Sequence, residues 1–215
     1  MDATEFKCRW VEKQGLWIVA EEKRNLYWDN KTFPVDVELI IEKELSLSIE
    51  PIHNLQQQTD MDAYLKKDLS GIVVDYDQYM NPKFENRLRF SYAHELGHYF
   101  LHKYIYDDFE ITSEGEWTYF MNHIEDAEYR KFEYQANEFA GRFLVSRQGL
   151  KEEINKAAAI LKGVEDARYI KEDSYAVLSA MSPMISKKFG VSSDVIEMRI
   201  AREDLWPPEL DECDV

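Results

Sequence analysis

Apolar residues recur at three- and four-residue spacing through residues 88–101, which predicts an amphipathic α-helix. The apolar positions are Leu88, Tyr92, Leu96, Tyr99 and Phe100. The stretch contains no proline and no β-branched run, both of which would disfavour a helix. Gly97 costs about 1 kcal/mol relative to alanine in a helix, unless close packing needs it. We therefore predict one helix here with one buried face.

A second helix is predicted from about Glu125 to Val145. With Phe132 as the origin and about 100° per residue, its apolar side chains fall in one arc. They are Tyr129, Phe132, Ala136, Phe139, Ala140, Phe143 and Leu144. Glu133 falls near 100°, inside this arc, whereas Glu138 falls near 240°, on the opposite side. A carboxylate on a buried face needs a cation or hydrogen-bond donors, so Glu133 is the acidic residue that most needs explaining.

Shorter patterns complete the amino-terminal half. The pattern of residues 1–30 predicts a helix or a hairpin. The pattern of residues 35–45 predicts a short helix that starts after Pro34. Strands are predicted at residues 47–49, ending before Pro51, at 63–65 and at 71–75. The polar residues 53–62 are predicted to form a loop, as are the acidic residues 106–116, which could form the rim of a cleft.

The region after residue 146 is charged and helical. Its patterns predict helices at residues 150–161 and 174–181, with Ser182-Pro183 beginning another. Residues 184–196 are typical of a helix, a glycine turn and a second helix, as in a helix-turn-helix. That second helix carries Asp194 and Glu197 beside Arg199 and Arg202, a poor surface for phosphates. We therefore predict a structural role in packing.

Composition narrows the class of protein. The 215 residues carry a net charge of −16, which opposes nucleic-acid binding and is compatible with a basic protein partner. The apolar runs are too short to span a membrane, and the first residues lack the pattern of a secretory signal. Cys8 and Cys213 lie at opposite ends of the sequence and predict no disulfide framework. Together these features favour a cytoplasmic protein with no membrane or direct nucleic-acid partner.

The first predicted helix contains the sequence His94-Glu95-Leu96-Gly97-His98, an H-E-x-x-H pattern. Four residues turn a helix by about 400°, so both imidazoles lie on one face, where they can bind one Zn²⁺. Glu95 lies about 100° away from His94, which suits a general base better than a ligand. The alternative is two ordinary helix histidines. The longer pattern H-E-x-x-H-x-x-G-x-x-H is excluded, since Leu101 and Tyr104 occupy its glycine and third histidine.

Two histidines leave such a site without a third protein ligand, and glutamate is a usual choice. Glu133 is the preferred candidate, with a salt bridge to an arginine as the alternative explanation for its position. Glu125, near 20° at the start of the helix, is the rival ligand. Asn137, one turn after Glu133, could hydrogen-bond a ligating histidine.

Several stretches resemble the ImmA/IrrE family of metallopeptidases. They are Phe33-Pro34-Val35-Asp36-Val37, residues 72–75, residues 89–98, residues 133–140, and Phe189-Gly190-Val191-Ser192 followed by Met198-Arg199-Ile200. The resemblance spans about residues 33–202 in the family's motif order. It implies an α+β fold, a mostly helical zincin-like domain with a small three-stranded β-sheet packed beside the HExxH helix and a helical carboxy-terminal part. We accordingly predict an amino-terminal extension at residues 1–32 and the peptidase core at residues 33–146. The helical part would follow at residues 147–205, and an acidic tail at residues 206–215.

The resemblance also implies a function. Its pattern makes His94, His98 and Glu133 the ligands of one Zn²⁺ per chain and Glu95 the general base. It implies cleavage of a basic helix-turn-helix repressor that controls a mobile element, such as a phage, or a stress regulon. Candidates for an oxyanion donor or a rim residue are Tyr92, Tyr119 and His123. His102 lies one turn beyond His98. Because three ligands are already assigned, we expect His102 to be a packing or rim residue.

Two other classes of function stay open. The chain could be a non-catalytic protein-binding regulator, such as an anti-repressor or a toxin–antitoxin component, that keeps the metal site. The open fourth ligand position argues against a purely structural zinc site. It could also be a DNA-binding regulator that uses residues 184–202, which the negative charge disfavours.

Overall fold

The structure, a computed structural model, describes residues 3–29, 32–108, 114–162 and 174–206. These residues are mostly helical and include one small sheet, which confirms the predicted α+β class. None of the described helices has the length and apolar character needed to cross a lipid bilayer. Part of the predicted acidic loop (residues 109–113) and most of the predicted tail (residues 207–215) lie outside the described residues.

The longer helices are α1 (Lys13–Tyr27), α5 (Glu85–Leu101), α7 (Glu114–His123), α8 (Asp126–Leu144), α9 (Arg147–Lys162), α10 (Ser174–Phe189) and α11 (Ser193–Glu203). The short ones are α2 (Val37–Leu39), which continues as a π-helix (Ile40–Glu44), α3 (Leu55–Thr59), α4 (Tyr76–Tyr79) and α6 (Lys103–Asp108). Two 3₁₀ turns occupy Ala3–Glu5 and Pro82–Phe84. The strands are β1 (Ser48–Ile52), β2 (Ala63–Leu65) and β3 (Gly71–Asp75).

The sheet has the strand order β1–β3–β2 and is mixed. β1 runs parallel to β3, with Ser48 opposite Gly71, and β2 runs antiparallel to β3, with Leu65 opposite Ile72. All five residues of β3 are buried, as expected for a central strand. The edge strand β2 lies against α5. The predicted three-stranded sheet beside the HExxH helix is therefore confirmed.

Three local predictions were wrong. β1 continues through Pro51, because a proline is tolerated in an edge strand, where its missing N–H is not needed for pairing. Residues 55–59 form a helical turn inside the predicted loop. Residues 174–189 form one helix that contains Pro183, so Ser182 is not an N-cap. Its hydroxyl donates instead to the carbonyl of Leu178 within the same helix.

The predicted acidic loop was wrong at both ends. Residues 106–108 close α6 and residues 114–116 open α7. Near the amino terminus, where the sequence predicts a helix or a hairpin, the structure has the helix α1, which packs against α8. The domain boundaries at residues 32 and 146 stay predictions, although α1 and α11 on either side both contact α8 of the predicted core.

The crossing of α5 and α8 forms the centre of the main core. The predicted arc of α8 is buried, with Tyr129 as its one exposed member. Glu138 is buried too, on the side of α8 that the arc leaves free, because α1 covers it. The indole of Trp17 on α1 donates to the Glu138 carboxylate (3.0 Å), and Arg202 pairs with the same group. α8 is therefore enclosed on two sides.

Gly97 faces the backbone of α8 and lies very close to it. A Cβ placed on Gly97 would lie 3.0 Å from both Cα and O of Ala136 and 3.3 Å from Cβ of Phe139. These distances are shorter than ordinary contacts between carbon atoms. Glycine lowers the helix propensity of α5, but its lack of a side chain lets α5 pack closely against α8.

Two buried arginines donate to carbonyl groups at the carboxy-terminal end of α8, where the last carbonyls of a helix lack intrahelical partners. Arg199 on α11 donates to the carbonyls of Gly141 and Val145, and Arg24 on α1 donates to that of Arg142. The Gly141 carbonyl also accepts the N–H of Val145. Arg199 also pairs with Glu203. Positive charge at this end complements the helix dipole, so both flanking helices fix the position of α8.

The first prediction concerns the helix crossing. We expect Gly97→Ala to lower the free energy of unfolding by about 1–3 kcal/mol, because overpacking outweighs the better helix propensity. Gly141→Ala is the control, since its Cβ would meet Arg199 Cδ at an ordinary 3.4 Å. Urea unfolding of the three proteins measures the effect. A Gly97→Ala protein at least as stable as the Gly141→Ala protein would show that the crossing tolerates a methyl group.

The second prediction concerns the end of α8. We expect Arg199→Met to cost about 2–3 kcal/mol of stability, because it removes the buried guanidinium that pairs with Oε1 of Glu203 and donates to the carbonyls of Gly141 and Val145, although Oε2 of Glu203 keeps Arg142 (2.9 Å). The exposed Arg130→Met on the same helix α8 should change stability by less than about 0.5 kcal/mol. Thermal and urea unfolding compare the two, and equal small losses would contradict the capping role of Arg199.

Candidate metal centre

His94 and His98 lie one turn apart on the face of α5 that looks towards α8. Their Nε2 atoms are 2.9 Å apart, and the two rings meet edge to face with centroids 4.7 Å apart. This is the arrangement that the four-residue spacing predicts for a helix. Both imidazoles present the same ring nitrogen to one point.

Glu133 on α8 completes a cluster with these histidines. Its Oε2 lies 3.2 Å from Nε2 of His94 and its Oε1 lies 3.7 Å from Nε2 of His98. The carboxylate therefore spans both imidazoles, with a different oxygen facing each. Glu125, the rival in the sequence, forms an exposed ion pair with Lys7 (2.6 Å) at the start of α8. Of the two glutamates, only Glu133 contacts the imidazoles in the described structure.

The outer nitrogens of both imidazoles have side-chain partners. Nδ1 of His94 lies 3.1 Å from Oδ1 of Asn137, and Nδ1 of His98 lies 2.9 Å from Nδ1 of His102. An amide oxygen only accepts hydrogen bonds, so His94 donates to it from a protonated Nδ1. The lone pair of neutral His94 is then on Nε2 and points at Glu133. Such outer contacts are typical of metal-ligating histidines.

The donor set fits a divalent metal ion. Ligand atoms about 2.0–2.2 Å from a tetrahedral zinc ion lie about 3.3 Å from one another. The three contacts among His94, His98 and Glu133 measure 2.9, 3.2 and 3.7 Å. A carboxylate oxygen of Glu95 also lies within 4.8 Å of a nitrogen of each imidazole. We regard Glu133 as the better ligand, because its two oxygens face the imidazole nitrogens while a backbone N–H occupies one oxygen of Glu95.

Glu95 lies on the side of the cluster next to the sheet. It is 8% exposed, and its Oε2 accepts a hydrogen bond from the backbone N–H of Leu65 in β2 (2.7 Å). Burial raises the pKa of Glu95 to about 7, against the lowering effects of His94 and of the Leu65 N–H. A carboxylate with a pKa near neutrality can both take and return a proton at physiological pH. A divalent cation beside it would lower that pKa.

His94 and His98 of α5 and His102, which follows this helix, differ in their protonation. Burial lowers the pKa of His98 well below its ordinary value, and His94 and His102 add to this effect. Burial likewise lowers the pKa of His102 to about 3. For His94, burial acts in the same direction, but the carboxylates of Glu133 and Glu95 outweigh it and raise the pKa. At neutral pH the two inner histidines are neutral, which is the form that binds metal.

Among the remaining candidates from the sequence, His102 contacts the imidazole of His98, whereas Tyr92, Tyr119 and His123 show no contact with either imidazole in the described structure. Tyr92 is buried in the core on another face of α5, and burial raises its pKa. Its hydroxyl has no hydrogen-bond partner among the described residues. His123 stacks on Tyr119 of the same helix, with ring centroids 3.8 Å apart, and its Nδ1 contacts the Tyr119 carbonyl. His102 is 1% exposed and lies behind His98, so it is not a rim residue.

Tyr129 is a residue at the cluster that the sequence interpretation missed, having counted it only as part of an apolar arc. It lies one turn before Glu133 on α8. Burial and the charges of Glu133 and Glu95 raise its pKa, while its side chain stays 41% exposed. The four-residue spacing from Glu133 was the signal that could have identified it.

Comparison with known proteins bears on this cluster. Residues 81–201, more than half of the chain, match the family model described as the IrrE N-terminal-like domain, a family of peptidases. The match contains both α5 and α8, and therefore His94, Glu95, His98 and Glu133. Leu65, whose N–H donates to Glu95, lies before the matched residues. No curated protein sequence matches the chain.

Proposed function

The chain belongs to the IrrE N-terminal-like domain family of peptidases, and from this premise we propose that it is a zinc-dependent endopeptidase. The single observation that carries the proposal is the convergence of His94, His98 and Glu133 from two crossing helices. These residues would hold one Zn²⁺, with Asn137 orienting His94. Three protein ligands are the number found in catalytic zinc sites, where a fourth position stays open.

Bound there, the metal would polarise the scissile carbonyl and lower the pKa of a water molecule towards about 7. Glu95 is the proposed general base and acid: its free carboxylate oxygen takes the proton from the attacking water and gives it to the leaving amine. The N–H of Leu65 holds the other oxygen in place (2.7 Å). Tyr129 is the hydroxyl that we propose as a hydrogen-bond donor to the reacting carbonyl, in place of Tyr92, Tyr119 or His123.

The proposed substrate is a basic helix-turn-helix repressor of a mobile element or a stress regulon, cleaved in the cytoplasm. The charge of −16 supports a basic protein partner, because opposite charges speed and orient association. Direct binding to DNA is the weaker alternative. Arg199 is buried against α8 and Arg202 pairs with Glu138, so neither arginine of α11 is directed to a phosphate backbone.

A metal titration tests the ligand set. Metal-free protein should bind one Zn²⁺, and Glu133→Gln should weaken binding by at least about 100-fold, because a neutral amide replaces the anionic ligand. Glu125→Gln is the matched control and should bind as the wild type does. Competition with a chromophoric chelator measures the affinities. If the Glu125 variant loses the metal and the Glu133 variant keeps it, the ligand assignment is wrong.

A cleavage assay tests the enzyme against the non-catalytic regulator. We expect the zinc-loaded protein to cleave the helix-turn-helix repressor encoded nearest its gene, and Glu95→Gln to slow cleavage by about 10²–10⁴-fold. Glu95→Gln should still bind Zn²⁺, since it leaves the three ligands intact, and Glu125→Gln should cleave normally. Gel electrophoresis and mass spectrometry follow the products. Repressor binding without cleavage by the wild type would favour the regulator, and unchanged cleavage by Glu95→Gln would remove Glu95 from the mechanism.

A further inference from the structure

His102 is a buried histidine to which the proposed reaction assigns no role. It follows the last residue of α5, is 1% exposed, and its ring lies 4.3 Å from the ring of Phe132 on α8. The ring of His98 packs on the same phenylalanine at 4.2 Å. Both imidazoles thus pack against the same phenylalanine ring. Packing alone does not explain the polar contact between them.

That contact joins Nδ1 of His98 to Nδ1 of His102 at 2.9 Å. Two neutral imidazoles can make such a hydrogen bond only if one nitrogen carries the proton and the other accepts it. If His98 binds a metal through Nε2, its proton must be on Nδ1, and Nδ1 of His102 must be the acceptor. The opposite arrangement puts the proton of His98 on Nε2, which then cannot be a ligand.

We propose that His102 is the positioning residue for His98: by accepting a hydrogen bond at Nδ1, it keeps the lone pair of His98 on Nε2, facing Glu133. The inference rests on the proposed metal site and adds a specific determinant of its affinity. It gives the inner histidine the counterpart of Asn137, which accepts from the outer histidine. Partners of this kind fix both the tautomer and the orientation of a ligating ring.

The structure also shows what this arrangement costs. Nε2 of His102 is buried and has no hydrogen-bond partner among the described residues. When Nδ1 of His102 is the acceptor, this Nε2 carries the proton and becomes a buried donor without an acceptor, which is unfavourable. The opposite tautomer avoids the buried N–H but prevents ligation by His98. Metal binding and the tautomer of His102 are therefore coupled.

Two substitutions distinguish positioning from packing. His102→Asn removes most of the ring but places an amide oxygen close to the position of Nδ1, so it retains an acceptor. His102→Leu is the more apolar replacement beside Phe132 but has no acceptor. A packing residue would be replaced better by leucine, whereas a hydrogen-bond acceptor would be replaced better by asparagine. The two explanations thus predict opposite orders.

The experiment is a Co²⁺ titration of metal-free protein followed by visible absorbance, with Zn²⁺ competition. We expect His102→Leu to bind about 10–100-fold more weakly than wild type, and His102→Asn to recover most of the loss. Thermal unfolding of the metal-free proteins controls for folding. Wild-type affinity in His102→Leu, or equal weakening in both variants, would overturn the positioning role.

Two further outcomes keep the conclusions separate. If the wild-type protein binds neither metal, the proposed function fails along with the site on which this inference depends. If a variant does not fold, histidine ¹⁵N chemical shifts of the zinc-loaded wild type decide the question. We expect protons on Nδ1 of His98 and on Nε2 of His102. A proton on Nδ1 of both histidines would refute the inference while leaving the metal site intact, whereas a proton on Nε2 of His98 would refute His98 as a ligand.

Discussion

The close approach of α5 and α8 is the constraint on which the proposed centre depends. Gly97 lies between the two histidines in sequence and meets the backbone of Ala136 directly. His94 and His98 belong to one helix and Glu133 to the other, so the distance from the imidazoles to the carboxylate depends on the separation of the helices. A larger residue at position 97 would move the two sets of donors apart. One small residue therefore links packing density to the geometry of the site.

The rest of the fold holds α8 in this position. α1 covers the face turned away from α5, and arginines from α1 and α11 bind the carbonyl groups at its end. Although the chain carries a charge of −16, Arg24, Arg142 and Arg199 are buried around this helix end. Burying a charged group is costly unless it is paired, and here Glu203 and backbone carbonyls provide the partners. The excess of acidic residues that gives the net negative charge therefore lies elsewhere in the molecule.

Helical periodicity in the sequence was sufficient for the parts of the site that lie within one helix. It placed His94 and His98 on one face and Glu133 among the buried positions of α8, because these relations depend only on about 100° per residue. The same arithmetic puts Tyr92 about 200° from His94, which is why it points into the core. The burial of Glu138 was not predictable, since it depends on where α1 packs. The burial of His102 was likewise not predictable, because it depends on Phe132, which belongs to another helix.

His94 and His98 of α5 and His102 directly after it form a series that leads from the surface into the core. The side chain of His94 is 16% exposed and that of His98 7%, while His102 is 1% exposed as a residue. The outer histidine, His94, contacts Asn137, whose amide oxygen can only accept and so allows a single arrangement. The inner histidine, His98, contacts another imidazole, which can exchange donor and acceptor roles. Because the second contact has two states, a bound cation can change the tautomer of the His98–His102 pair without moving either helix.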